Sequence, residues 1–389
     1  MNLLFVISSS NKGANGGHFR SCLTIAKAMK RAGAEIKILN IGVVPSPVFS
    51  QEFVDVEYIN VNARNWPIRL LIIFKIILNA DKATRVLAFD FFSFFFVRVA
   101  CYISKNPFGY FRCGGPNLNY FPFSKWIFCF SKESYIYFHK KFINSNIYLF
   151  PNRIEKSDSF SNGELREIVQ NDFPIVLRIG RLVSNYNAIN FASLKLSRIL
   201  NELKVRHNLI FIGYPDGFDS IDYIRFKEEC VSMPNVWLLT DIRYTKEASR
   251  FLKEASLVVG TGRGAMESVV SERSVAVYSE SHDVPVLVNS AEVFNQSLNM
   301  NFSLRNNLGF VDADTNLKNL IELLNNRSYQ DQVLDFLKSR KDEFDIDEVV
   351  DDYLKAFANM SHDSELKLWD LFKHFGKMFL PKLLLLKKC

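Results

Sequence analysis

The chain has 389 residues, of which 48% are apolar, 23% are charged and 36 are phenylalanine, and its formal net charge is +7. This composition is typical of a globular protein and excludes a disordered one, which has few aromatic residues and high charge per residue. The six cysteines are scattered without the two-residue spacing of zinc or redox motifs, which indicates reduced thiols in a cytoplasmic protein.

Charge and phenylalanine are unevenly distributed along the chain. Residues 1–154 hold 19 Lys and Arg against 7 Asp and Glu, a net charge of +12, together with 20 of the 36 Phe. Residues 364–389 carry a net charge of +4, which leaves −9 for the segment between them. Basic charge attracts nucleic acid or anionic lipid. Because no helix-turn-helix, RNP motif or zinc finger is present, we expect no nucleic-acid partner.

The first elements predict a βαβ unit. Leu3–Ser8 is expected to form a buried parallel strand, followed by the glycine-containing loop Asn11–Gly17 and a helix that ends at Gly33. The next strand is predicted at Glu35–Ile41, which completes the building block of a doubly wound sheet. Further strands are predicted at Arg85–Phe89 and Lys125–Phe130.

A second set of elements starts after Pro151-Asn152-Arg153. The strand Ile175–Ile179 runs into Gly180-Arg181-Leu182, and a helix is predicted over Ile189–Leu203. The remaining strands are predicted at Leu209–Ile212, Val236–Leu239, Leu257–Val259 and Val275–Val277. The fold class is therefore α/β, with two Rossmann-like doubly wound domains at 1–154 and 155–345 and an interdomain cleft. The helices of 346–389 are expected to cross back to the first domain.

The sequence Gly260–Glu267 carries the sharpest functional signal. It follows a predicted strand and opens a helix, and its glycines, Gly262 among them, let a ligand approach the backbone at the positive end of the helix. A diphosphate fits that description. Arg263 and Glu267 are four residues apart and share one helix face, so the alternative is a glycine-rich turn with an intrahelical ion pair.

Together these motifs resemble bacterial glycosyltransferases of the GT-B fold, in the large retaining group called family four, over most of residues 1–330. The matching segments are the Gly16-Gly17 loop, Cys113-Gly114-Gly115-Pro116-Asn117, Pro151-Asn152-Arg153, Ile179-Gly180-Arg181-Leu182, and Gly260–Glu267 with Ser268-Val269-Val270. The resemblance implies a nucleotide-sugar donor bound by the second domain. A glycan or lipid-linked acceptor is then expected at the first domain.

The resemblance also implies individual roles. Glu267 matches the glutamate that holds the donor ribose, and Arg181 the arginine that contacts the diphosphate. Gly264, Ala265 and Met266 lie where backbone amides meet the phosphates. Gly16 and Gly17 match the loop that closes over donor and acceptor.

Two positions depart from the family pattern. Val259 replaces the first glutamate of a pair spaced eight apart, and Tyr186 replaces a lysine that neutralises the leaving group. Arg263 is absent from the common form of the motif and is a candidate replacement for the missing positive charge. The sequence leaves open an active enzyme of a variant subgroup or a degenerate, inactive one.

Stabilisation of the departing nucleoside diphosphate is assigned to Arg181, Arg263 and the helix amides. No metal or cofactor is expected, because Asp312-Ala313-Asp314 lies outside the expected site and is typical of a solvated turn. No enzyme nucleophile is expected in this family. On the acceptor side, His18 and Asp90 are candidates to orient or deprotonate a hydroxyl, and their alternatives are a helix N-terminal histidine and a helix cap.

Three segments suggest contact with an anionic membrane surface. They are the apolar Ile68–Leu78, the Phe-rich Phe89–Phe130 and the basic, aromatic Ser364–Cys389. The alternative is that these are core helices and that the C-terminal segment packs on the first domain. No clean stretch of about 20 apolar residues predicts a membrane span.

The sequence therefore predicts a glycosyltransferase of surface-polysaccharide biosynthesis, cytoplasmic and peripheral at the inner face of the membrane. Retention of configuration is expected from the family. One alternative is a catalytically degenerate GT-B protein that binds sugar nucleotide or scaffolds a partner. The other is a GT-B nucleotide-sugar epimerase.

Overall fold

The computed structural model describes residues 1–9, 16–49, 54–61, 66–155, 161, 163–215, 217–363 and 368–386. The chain forms two compact units. The first unit combines Met1–Arg153 with Ile346–Cys389, and the second is Ile154–Asp345.

The first unit contains a seven-stranded parallel sheet. Its strands are β1 (Asn2–Ser9), β2 (Glu35–Gly42), β3 (Asp55–Asn60), β4 (Arg85–Ala88), β5 (Phe108–Arg112), β6 (Trp126–Cys129) and β7 (Asn146–Leu149). Their order is β3-β2-β1-β4-β5-β6-β7, which is that of a doubly wound sheet. The helices between them are α1 (Gly17–Arg31), α2 (Trp66–Asn79), α3 (Phe91–Ser104) and α4 (Lys132–Lys141). The βαβ unit predicted at the N-terminus is confirmed.

The second unit repeats this order with six strands. They are β8 (Ile175–Ile179), β9 (Asn208–Ile212), β10 (Val236–Leu239), β11 (Leu257–Gly260), β12 (Val275–Val277) and β13 (Val286–Leu287). The order is β10-β9-β8-β11-β12-β13, and every pairing is parallel except that of β12 with β13. The helices are α5 (Glu164–Val169), α6 (Asn187–Glu202), α7 (Ile221–Val231), α8 (Ile242–Thr245), α9 (Arg263–Val270), α10 (Ala291–Asn299), α11 (Ala313–Asn325) and α12 (Arg327–Lys338).

The last two helices, α13 (Val350–Ala358) and α14 (Leu368–Leu386), belong to the first unit and cover opposite faces of its sheet. Side chains alternate between the faces along each strand. Phe5 of β1 lies in the cluster that α13 covers with Tyr353 and Phe357, whereas Val6 lies in the cluster shared by α2, α3, α4 and α14.

The phenylalanines of Phe89–Phe130 lie mainly in these two cores. Phe94, Phe96, Phe111 and Phe128 are each almost completely buried. These aromatic side chains therefore pack in the core, as the alternative prediction has it, and contact of this stretch with a membrane stays a prediction. Among the described residues, no helix is both long and apolar enough to cross a membrane.

A buried ion pair attaches α14 to α3. Arg98 is completely buried and its Nη2 donates to Oδ2 of Asp370, while Nη1 contacts Nδ1 of His374 at 3.2 Å. Burial, reinforced by the Arg98 charge, lowers the pKa of His374 to about 3, so the imidazole is neutral and accepts from Arg98. Asp370 also accepts from the Phe123 amide at 3.0 Å.

Replacing Asp370 with alanine is expected to lower stability by about 3 kcal/mol, because it leaves the Arg98 charge buried without its partner. The double replacement Arg98→Met, Asp370→Ala removes both charges and is expected to be milder. The thermal unfolding midpoint measures both effects. Asp351→Ala, on an exposed position of α13, is the matched control. Equal midpoints for Asp370→Ala and Asp351→Ala would show that the pair does not hold the helix.

Candidate active site

Two glycines shape the turn between β11 and α9. A Cβ at Gly260 would lie 2.7 Å from the Cα of Ala265, so a side chain does not fit where the strand meets the helix. Gly262 has φ of 51°, in the left-handed region that strains other residues, and its amide donates to the carbonyl of Phe302 at 2.6 Å. The chain thus passes within two residues from a strand end into the first turn of a helix.

The residues predicted to meet the phosphates lie in that first part of α9. Ala265 and Met266 have buried side chains, so phosphates could meet only backbone groups here, and two of the three amides predicted to do so already donate within the turn. The Gly264 amide donates to the Thr261 carbonyl at 3.1 Å, and the Met266 amide to the Gly262 carbonyl at 3.4 Å. The helix also directs the positive end of its dipole towards the carboxyl edge of the sheet. Their contact with phosphates stays a prediction.

Arg263 and Glu267 form an ion pair on α9. Arg263 Nε lies 2.8 Å from Glu267 Oε1, and both side chains are largely buried. The geometry is the intrahelical pair that the sequence left open as the alternative. The charge of Arg263 is therefore already partly neutralised, which weakens its case as a replacement for the missing lysine.

The end of β8 carries the second predicted motif. A Cβ at Gly213 would lie 1.8 Å from the carbonyl oxygen of Gly180, so the backbones of β8 and β9 meet in contact. Arg181 follows with an exposed side chain, and its carbonyl accepts from Nδ2 of Asn190 at 3.3 Å. Arg181 is therefore an exposed arginine two residues beyond the end of β8.

Strand pairing brings both motifs to one sheet edge. β8 and β11 are parallel neighbours, with Leu177 opposite Val258, so Gly180-Arg181 and Gly260–Glu267 both follow the carboxyl ends of adjacent strands. Ligands of open α/β sheets bind at such edges.

Arg178 lies beneath this edge and was missed by the sequence interpretation. It is 1% exposed, and its Nη1 donates to the carbonyls of Ile179 and, at 3.4 Å, of Val259. Nε donates to Oδ1 of Asn190 at 3.3 Å, and Nη2 is buried without a hydrogen-bond partner. Burial lowers the pKa of Arg178 to about 10, so the side chain remains charged at neutral pH. The sequence feature that could have indicated Arg178 is an arginine inside the otherwise apolar strand 175–179.

In the first unit, Gly16 caps the start of α1, where Gly17 is exposed and His18 is half-buried. The His18 ring packs on Phe19 with centroids 4.2 Å apart. Residues 11–15 of the predicted loop lie outside the described residues. His18 is therefore at a helix N-terminus, and its role towards an acceptor stays a prediction.

Asp90 is the N-cap of α3 and accepts four hydrogen bonds. Two come from the amides of Phe92 and Ser93 at 2.9 and 2.8 Å, and two from the amide and hydroxyl of Ser8, both at 2.6 Å. These bonds explain Asp90 as the helix cap that the sequence left open. β1 and β4 are neighbouring parallel strands, so Asp90, which follows β4, lies at the same sheet edge as the start of α1, which follows β1.

The crossover motif also contacts α1. The Ser21 hydroxyl donates to Oδ1 of Asn152 at 2.6 Å, and both residues are buried. The Pro151-Asn152-Arg153 segment therefore fixes the first turns of α1 and, through them, the end of the Gly16-Gly17 loop.

The segment Asp312-Ala313-Asp314 is solvent-exposed, as predicted, but it begins a helix and does not form a turn. Asp312 is the N-cap of α11 and accepts from the amide and hydroxyl of Thr315 at 2.8 and 2.7 Å. These hydrogen bonds lower its pKa. Within the described residues, no group of three or more His, Cys, Asp or Glu is placed to hold a metal ion.

No protein-family model and no curated protein matches this chain. Solved structures do match it. HepE of Anabaena in complex with UDP and glucose is 15% identical, with 92% of this chain and 100% of that chain covered at a TM-score of 0.66. A glycosyltransferase from Rickettsia africae is 13% identical, with 92% and 98% covered at a TM-score of 0.58.

The UDP-GlcNAc 2-epimerase of Neisseria meningitidis bound to UDP-GlcNAc is also similar, at 12% identity and a TM-score of 0.56, with 92% and 100% covered. The protein therefore has the GT-B fold, with two Rossmann-like parallel-sheet units. Both transferases and an epimerase share this architecture, so the fold by itself leaves the reaction open.

Replacing Gly260 with alanine is expected to destabilise the protein by about 1–3 kcal/mol, because the new Cβ meets backbone atoms of α9. Gly264→Ala is the matched control. Its Cβ would meet nothing within 4 Å, and alanine is favoured over glycine in a helix by about 0.5–1 kcal/mol. Denaturant unfolding compares the two. A Gly260→Ala protein as stable as wild type would contradict the close approach at this turn.

Proposed function

We propose that the protein is a glycosyltransferase that moves a sugar from a nucleoside-diphosphate donor to a glycan or lipid-linked acceptor. The observation that carries the proposal is that β8 and β11 are parallel neighbours, so that an exposed arginine and a helix N-terminus follow the carboxyl ends of adjacent strands. HepE, whose structure contains UDP, is among the proteins of the same fold. A donor diphosphate is the ligand whose charge fits this edge.

In the proposed reaction the bond between the sugar and the diphosphate breaks, and negative charge grows on the departing nucleoside diphosphate. Arg181 and the amino end of α9 stabilise that charge. Glu267 accepts hydrogen bonds from the ribose hydroxyls. It remains next to Arg263, which fixes the carboxylate on the helix face.

On the acceptor side, His18 or Asp90 orients or deprotonates the attacking hydroxyl. Transfer needs no metal ion, and the configuration of the sugar is retained by attack on the face that the diphosphate leaves. These features, together with a role in surface-polysaccharide assembly, rest on the resemblance of the motifs to family-four enzymes.

The donor site is tested by Glu267→Ala and Arg181→Ala. Each is expected to weaken UDP binding at least about tenfold, because each removes hydrogen bonds to a buried ligand group, worth about 1.5–3 kcal/mol for charged partners. Calorimetric titration with UDP and a screen of nucleotide sugars measure this, since a ligand of the folded state also raises the unfolding temperature. Transfer in the presence of EDTA is expected to continue unchanged.

Asp314→Ala, at an exposed position in α11, is the control and is expected to bind as wild type. Unchanged donor affinity in both site variants would show that the site is wrongly assigned. Donor binding without hydrolysis or transfer would instead identify the degenerate binding protein, and conversion of the donor sugar to its epimer in the absence of an acceptor would identify an epimerase.

We further propose that the first unit binds an anionic membrane surface at the inner face of the cell membrane. On α14, the exposed Trp369 and Phe372 share one face with exposed Lys373 and Lys377. Their spacing of three, four and eight residues places them along the same side of the helix. Aromatic side chains flanked by lysines are suited to the interface of an anionic bilayer.

Helix α2 also carries exposed apolar side chains. Leu70, Phe74 and Leu78 are exposed on it, while Ile72 and Ile76 pack into the core shared with α3 and α14. Because α2 and α14 both bury their inner faces in that one core, their outer faces lie on the same side of the sheet.

Trp369→Ser combined with Phe372→Ser is expected to reduce binding to anionic vesicles several-fold, because two large apolar side chains no longer enter the interface. Flotation with phosphatidylglycerol and with neutral phosphatidylcholine vesicles measures this. Ile221→Ser with Val231→Ser, on exposed positions of α7, is the matched control. The proposal fails if wild type does not float with anionic vesicles or if the α14 variant floats equally well.

A further inference from the structure

Arg178 is a buried positive charge without a counter-ion. Among the residues that the structure describes, no carboxylate lies within ion-pair distance of it. Its contacts are the carbonyls of Ile179 and Val259 and the amide oxygen of Asn190. These are neutral acceptors, which satisfy donors but leave the charge itself uncompensated. Burying an arginine in this way is unfavourable, because buried charges are normally paired.

The surroundings show where a compensating charge fits. Arg178 lies on the face of β8 towards α6, which carries its partner Asn190, and its guanidinium packs against Gly180. A Cβ at Gly180 would lie 2.6 Å from Nη2, so the guanidinium occupies the space that a side chain would need. The charge therefore packs directly against Gly180, one residue before Arg181 of the candidate site.

The two positions that depart from the family pattern are neighbours of this arginine. The carbonyl of Val259 accepts from Nη1 at 3.4 Å. Tyr186 is close enough to act electrostatically on Arg178. The two positions that lack the family's glutamate and lysine, Val259 and Tyr186, therefore both lie next to the buried Arg178.

We propose that Arg178 supplies the positive charge that is missing from the site because Tyr186 replaces the family's lysine. Its charge then stabilises the donor diphosphate across the backbone of Gly180. The inference rests on the proposed function. Arg178 is a positioning residue and not a catalytic one, because its guanidinium is covered and acts through its field. That field is effective, since the charge is held in a region from which water is excluded.

Arg178→Met tests the charge with a side chain of similar length. Calorimetric titration compares UDP with uridine, which lacks the diphosphate. Affinity for UDP is expected to fall at least tenfold, whereas affinity for uridine stays within twofold of wild type. The ligand-free variant is expected to unfold at the same or a higher temperature than wild type, because an unpaired buried charge has been removed.

Arg273→Met is the matched control. Arg273 is a partly buried arginine of the same unit whose pKa is also lowered by burial, but it precedes β12 and so lies at the opposite edge of the sheet. Its replacement is expected to leave the ratio of UDP to uridine affinity unchanged.

Arg178→Lys separates a role of the charge from a role in packing, because only the charge makes UDP binding depend on pH. A buried lysine loses its proton at lower pH than an arginine. The preference of this variant for UDP over uridine is therefore expected to decline as pH rises from about 7 to about 9, while that of wild type stays constant. This variant replaces Arg178→Met if the methionine protein does not fold.

Three results would overturn the inference. They are wild-type UDP affinity in Arg178→Met, an equal loss of UDP and uridine affinity, and a UDP preference in Arg178→Lys that does not change with pH. If wild type itself binds no nucleoside diphosphate, the proposed function fails first. In that case inorganic pyrophosphate replaces UDP, and equal pyrophosphate affinity in wild type and Arg178→Met overturns the inference by itself.

Discussion

Backbones meet at the carboxyl ends of the parallel strands at distances that leave no room for a side chain. A Cβ at Gly42 would lie 2.4 Å from the carbonyl oxygen of Ser9, and one at Gly213 would lie 1.8 Å from that of Gly180. At Gly260 the obstacle is the backbone of α9. Because glycine alone permits these approaches, the loops that follow begin at the sheet edge, and polar backbone groups gather there. The strand ends of the candidate site and the turn into α9 depend on this constraint.

Two buried arginines show how the same residue type serves different ends. Arg98 is paired with Asp370, and the pair joins two helices. Arg178 is surrounded by neutral oxygens, and its charge is directed to the edge of the sheet. A paired charge contributes mainly to the placement of elements, whereas an unpaired one makes the site around it attractive to an anion. The sequence does not show this difference, because both arginines simply interrupt apolar runs.

The two-sheet architecture could be predicted because the strands that build it are short apolar runs ending at glycine, as at Ile175–Ile179 and Leu257–Gly260. The strand Asp55–Asn60 was missed because it lies at a sheet edge and carries polar residues. The short β13 is specified by its pairing with β12 and not by its own two residues. Arg178 and Val259 are 81 positions apart, so their contact depends on strand order and leaves no local pattern. Aromatic helix α3 was ambiguous, because core and membrane surfaces use the same side chains.

The first unit is built from both ends of the chain, and this affects the order in which it is completed during synthesis. Tyr353 of α13 stacks near Phe150 with ring centroids 4.2 Å apart, and Phe357 packs against Phe128 at 5.3 Å. Until α13 leaves the ribosome, these aromatic side chains of the sheet lack their cover, whereas the second unit is continuous in sequence and is translated in full before that point. The sheet of the nascent first unit therefore lacks this aromatic cover during the synthesis of about 200 residues, on the order of 10–40 s at about 5–20 residues per second.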